Sequence, residues 1–120
     1  MPIADVVLSP DEKRAAVQWL ANDIRIVDLV RGGVPSRLTF NASVEDYPVW
    51  SPSGDQVLYT SSASGGQNMY SKLSSGAGSE SEVLKSATIK RPTDWSRDFM
   101  VYDEDAPGSQ SDLWVLPLSG

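Results

Sequence analysis

Apolar positions in this chain alternate in short bursts, and turn chemistry ends each burst. Asp5 to Leu8 runs into Ser9-Pro10-Asp11, and Ala15 to Leu20 follows with Val17 and Trp19 on one face and Ala16, Gln18 and Leu20 on the other. Ala21-Asn22-Asp23 reverses the chain into Ile24 to Leu29, and Arg31-Gly32-Gly33 reverses it again into Ser36 to Phe40. The pattern predicts four short antiparallel strands, a meander. The order then recurs: Tyr47 to Trp50, Gln56 to Thr60, Asn68 to Leu73 and Glu82 to Lys85. Pro48 is tolerable there only near a strand start, and the low-complexity stretch Ser74 to Ser81 reads as a loop. A third set, Pro92 to Trp95, Phe99 to Tyr102 and Asp112 to Leu118, has an acidic loop from Asp103 to Ser111 and no fourth strand.

Matched landmarks set the period. Leu8, Trp50 and Trp95 are separated by 42 and 45 residues, Ile24, Met69 and Leu113 by 45 and 44, and Leu38 and Leu84 by 46. Four strands repeating at this spacing predict propeller blades. The expectation is an all-β domain of three blades, about 4–40, 46–86 and 91–120, the last incomplete. Pro10 to Leu20 also opens like a capped helix, but its two sister copies are strand-like.

The landmark of each copy is a turn. Trp50-Ser51-Pro52-Ser53-Gly54 leads into Gln56 to Tyr59; Leu8-Ser9-Pro10-Asp11-Glu12 and Trp95-Ser96-Arg97-Asp98 stand in the same place. These residues resemble the TolB-like, WD40-like (PD40) propeller repeat, of Trp-Ser-Pro-Asp-Gly type. Ser53 stands where that repeat has Asp, Leu8 and Glu12 replace its Trp and Gly, and the third copy has lost the Pro. Asp23-Ile24, Asn68-Met69 and Asp112-Leu113 resemble its third-strand start, and Arg37-Leu38-Thr39 its blade ending. The resemblance implies a module that binds proteins or peptides. It equally allows an accessory or gating segment beside a peptidase or kinase domain, though no motif of either enzyme is present.

A closed propeller has about 4 to 8 blades, and three leave two apolar faces and free strand edges to be covered. A two-fold axis along the channel would join three blades to three in head-to-tail order, so a homodimer closing a six-bladed ring is expected. A longer propeller of which this is a part fits the missing strand as well.

Composition narrows the chemistry. The 120 residues include no Cys and no His, which removes disulfides, thiolates, imidazole catalysis and Cys/His metal sites. A net charge of −6 disfavours nucleic acid and anionic membranes as partners. No leader or apolar run long enough for a membrane span is visible, so the chain reads as cytoplasmic as written, with a periplasmic setting allowed by the resemblance. No cofactor and no enzymatic activity are expected.

Ser9, Ser51 and Ser96 recur without a base, each where a turn wants a hydroxyl for its own backbone. Asp103, Glu104, Asp105, Ser109 and Asp112 supply oxygen ligands suited to Ca²⁺, but lack the spacing of a calcium loop; a solvated acidic hairpin is the plainer reading. Lys13-Arg14 and Lys90-Arg91 are isolated basic pairs, not a nucleic-acid stripe. Asn41-Ala42-Ser43 fits a glycosylation pattern. Trp50 and Trp95 are expected between blades, with Trp19, Tyr59 and Tyr102 in the core. The partner-binding candidates are Asp46, Tyr47, Arg91 and Asp94, at the first strands of blades two and three, which open beside the axis.

Overall fold

The computed structural model describes residues 3–19, 23–40, 44–62, 67–85, 88–105 and 111–118. The reversals at 20–22 and 63–66, the Asn41-Ala42-Ser43 pattern and residues 106–110 of the acidic stretch lie outside them. Blade 1 is β1 (Ile3–Leu8), β2 (Arg14–Trp19), β3 (Ile24–Asp28) and β4 (Ser36–Arg37). Blade 2 is β5 (Glu45–Trp50), β6 (Gln56–Ser61), β7 (Asn68–Leu73) and β8 (Ser81–Leu84); blade 3 is β9 (Ile89–Trp95), β10 (Phe99–Asp105) and β11 (Ser111–Pro117). Each blade is an antiparallel sheet with its strands in chain order. No helix occurs among the described residues, and Pro10 to Leu20 is a turn and a strand.

The repeated turn folds the same way twice. The Ser9 amide donates to the Arg14 carbonyl at 2.9 Å and the Glu12 amide to the Ser9 carbonyl at 2.9 Å; Ser51 with Gln56 and Gly54 with Ser51 repeat both bonds at 2.9 Å. The hydroxyls of Ser9 and Ser51 accept from the amides of Arg14 and Gln56 at 3.1 and 3.0 Å. The fourth position of the turn is left-handed in both copies, with φ 61° at Glu12 and 78° at Gly54. That conformation suits glycine and costs an L-residue about 1–2 kcal/mol. In blade 3 the shortened turn closes by the Ser96 amide on the Phe99 carbonyl at 2.8 Å, while the Ser96 hydroxyl accepts from the Phe99 amide at 3.2 Å.

Blade 2 is the centre of the packing, so its strands are apolar on both faces. Val57, Tyr59 and Tyr70 meet Trp50, Ala16, Ile24, Ile26 and Leu38 in a cluster with blade 1. Leu58 and Met69 meet Met100 and Tyr102 on the other side, with Val49, Trp95 and Leu116 packed against them. The matched residues Trp50 and Trp95 each face the preceding blade. Leu8 occupies the same repeat position, has no preceding blade, and is half exposed. On the far side of blade 3, Val101 pairs with Val115 and Asp103 with Leu113, and this face leaves Leu113 69% and Val115 54% exposed. Both end blades therefore carry an uncovered apolar face.

Three expectations are corrected, and the two basic pairs gain structural roles. The fourth strand of blade 1 is only two residues long, because Leu38 and Thr39 leave the β4 ladder to bond Ile24: the Leu38 amide donates to the Ile24 carbonyl at 2.8 Å, and the Thr39 hydroxyl accepts from the Ile24 amide at 3.0 Å. Asp103 to Asp105 are strand rather than loop, paired across to Arg91, Lys90 and Ile89. Each isolated basic pair places one cation in the packing. Lys90 is fully buried, donating to Asn68 Oδ1 at 3.0 Å and the Thr88 carbonyl at 2.6 Å, and Arg14 reaches across to blade 2. Trp19, expected in the core, is half-buried beneath the Arg25 guanidinium, 4.9 Å from its ring centre.

Candidate functional site

The first strands β1, β5 and β9 stand side by side and share a cleft of about 340 Å³. Its walls are Asp5, Val7 and Leu8 from β1, Tyr47 to Trp50 from β5 and Pro92 to Trp95 from β9, with Pro10 and Pro52 from the two turns. Each of these strands slips register near the same level: between Ile3 and Asp5, between Asp46 and Val49, and where Val101 and Tyr102 face Asp94 and Pro92. Bulges re-aim side chains and raise local twist. Pro48 and Pro92, which cannot donate to a ladder, sit at or beside the two bulges in β5 and β9.

Tyr47 lies in the β5 bulge with φ 58°, a left-handed conformation that costs an aromatic residue about 1–2 kcal/mol. Gln18 of blade 1 holds it there. Its amide Nε2 donates to Asp46 Oδ1 at 2.7 Å, and its Oε1 accepts from the Tyr47 amide at 3.4 Å. Burial pushes the Asp46 carboxyl above the usual carboxylate range, with the Gln18 hydrogen bond opposing it. Gln18 escaped sequence reasoning, since a lone glutamine in a strand carries no signal for a clamp to another blade.

Of the four partner-binding candidates, the cleft brings together Tyr47 and Asp94. Asp46 is turned to Gln18. Arg91 is held by Asp103 Oδ1 at 2.8 Å and Asp105 Oδ2 at 2.7 Å, and these two carboxylates raise its pKa further above its ordinary value. Asp112 pairs across to Glu104, one position out of step with Asp103 and Asp105, and so lies on the opposite face of blade 3. Among the described residues no three acidic side chains group as a metal site would require.

Three antiparallel blades in sequence around a shared inner cleft define a segment of a β-propeller. No family model and no curated protein matches the sequence. Solved structures do match the fold. Putative TolB from Agrobacterium tumefaciens superposes with a TM-score of 0.85 at 22% identity, over 98% of this chain and 46% of that one. TolB from Acinetobacter baumannii gives 0.78 at 21%, over 97% and 30%. The Myceliophteria thermophila Cps50 (Swd1) β-propeller domain gives 0.62 at 12%, over 98% and 41%. The chain has the TolB-like, WD40-like propeller fold, and it spans less than half the length of each of these structures.

Proposed function

We propose that the protein is a non-catalytic scaffold that presents the cleft between β1, β5 and β9 to a protein or peptide partner, in a ring completed by a second copy. The observation that carries this reading is the pair of uncovered apolar faces on the end blades: Val6 and Leu8 on blade 1, and Phe99, Leu113 and Val115 on blade 3. Propeller sheets pack face to face, so the two surfaces suit one another in head-to-tail order around a channel. The non-catalytic part is supported by the repeated serines. The Ser9, Ser51 and Ser96 hydroxyls all serve their own turns, and the sequence offers no histidine to activate them.

Light scattering on a size-exclusion column tests the ring. A mass about twice 13.0 kDa is expected, reduced to the monomer by Leu113→Glu, which places a charge on the blade 3 face. A monodisperse wild-type monomer would overturn closure by a second copy and favour further blades, or an enzyme domain beside them, as the cover.

A further inference from the structure

We propose that the inner cleft is selective for a cationic side chain, an Arg or Lys carried on an extended peptide segment of the partner. This deepens the scaffold reading and rests on it. Asp5 and Asp94 face the cleft from β1 and β9, and no Lys or Arg lines it among the described residues. The Oδ1 of Asp5 accepts from the Val6 amide at 2.9 Å, and the Oδ1 of Asp94 from the Trp95 amide at 2.8 Å. These bonds fix each carboxylate while leaving its second oxygen open, and neither residue has an ion-pair partner among the described residues.

The rest of the wall is also poor in donors. Pro10, Pro48, Pro52 and Pro92 have no N–H, and the Trp50 indole N–H is already given to the Val7 carbonyl at 2.8 Å. A ligand entering this space meets two open carboxylate oxygens and ring faces, with few donors beside the Tyr47 hydroxyl and the Trp95 indole N–H, so the cleft favours a ligand that brings donors and positive charge. The protein pairs its own arginines with aromatic rings, Arg25 lying 4.9 Å from the Trp19 ring centre outside the cleft and Arg14 as close to the ring of Trp50, one of the cleft walls. Tyr47 and Trp95, in the cleft, have no such cation among the described residues. A volume near 340 Å³ is at the small end for a binding pocket. It suits one long side chain and its flanking backbone better than a folded surface. The net charge of −6 would speed the approach of a basic segment.

Panning a random heptapeptide phage library against the immobilised full chain tests the proposal. Selected peptides should be enriched in Arg or Lys at one position. A synthetic copy of the best should bind at least about tenfold more weakly to the Asp5→Asn/Asp94→Asn double variant, with affinity falling as salt rises. Both aspartates are exposed, and asparagine can still accept the Val6 and Trp95 amides, so the variant should fold; its circular dichroism checks that directly. Selected peptides lacking basic residues, or binding the double variant equally well, would overturn cation selectivity and leave the scaffold reading standing. Selection of no peptide at all would overturn both.

Discussion

The indole Nε1 of Trp50 donates to the backbone carbonyl of Val7 at 2.8 Å, tying the first strand of blade 2 to the first strand of blade 1. The bond lies at the edge of the apolar cluster between the two blades, where an unpaired carbonyl is costly. Trp50→Phe keeps most of the packing and removes only this donor. A loss of about 1–2 kcal/mol is expected, read as a lower urea midpoint with an unchanged slope.

Arg14 performs the same task over the ring of the same tryptophan. Its guanidinium donates to Ser74 Oγ at 2.9 Å and to the Gly54 carbonyl at 2.7 Å while covering the Trp50 ring. Arg14→Ala should cost about 2 kcal/mol in the same urea experiment. Arg14→Lys should recover less than half of that, because one ammonium cannot reproduce a planar fork that meets two acceptors and a ring together.

The two copies of the Ser-Pro turn differ at one place that matters, φ 61° at Glu12 against φ 78° at Gly54. Glu12→Gly should raise stability by up to about 1 kcal/mol, the relief of strain exceeding the added freedom of the unfolded chain. Gly54→Ala should lower it: the new Cβ would sit 3.2 Å from Arg14 Nη2, at a φ alanine resists. Thermal melts of both variants decide the pair.

Acid should weaken the blade 1 turns. The Asp11 carboxyl is held below its usual value of 3.8 by the Lys13 amide and then the Ser9 hydroxyl, and Asp28 by the amides of Arg31 and then Val30. Because the folded pKa values are lowered, this stabilisation is complete above the unfolded value and is lost as pH falls through the folded one. Asp46 has the opposite sign and offsets part of the loss. Urea midpoints measured between about pH 2 and 6 should fall toward acid, and Asp28→Asn should flatten that limb.

Much of the fold was legible because its signals are local. Turn serines, a proline and a following alternating run repeat at a fixed spacing, and they announce a blade without knowledge of any other. Trp50 and Trp95 could be placed between blades for the same reason. What stayed hidden depends on partners distant in sequence. Asp103 and Asp105 read as a solvated loop because Arg91, which neutralises them, lies 12 and 14 residues earlier and meets them only through strand pairing. Lys90 reads only as half of an isolated basic pair until Asn68 and Thr88 close around it. Tyr47 and Asp94 were recognisable from their place at the first strands, whereas the contribution of Asp5 was not, since β1 carries no aromatic at its end to mark the cleft.

In blades 1 and 2 the outermost strand is the shortest. The first strands span six, six and seven residues, the fourth strands only two and four, and no strand pairs with the far side of β11 among the described residues. The molecule is a wheel with a stiff hub and a worn rim. Amide protons should exchange from the circumference inward, so the hub that frames the cleft keeps its shape while the rim opens and recloses. A tag or a whole domain spliced into the rim at the exposed positions 77–79 would hang from the edge of the wheel and leave the Ser74 and Glu80 contacts in place.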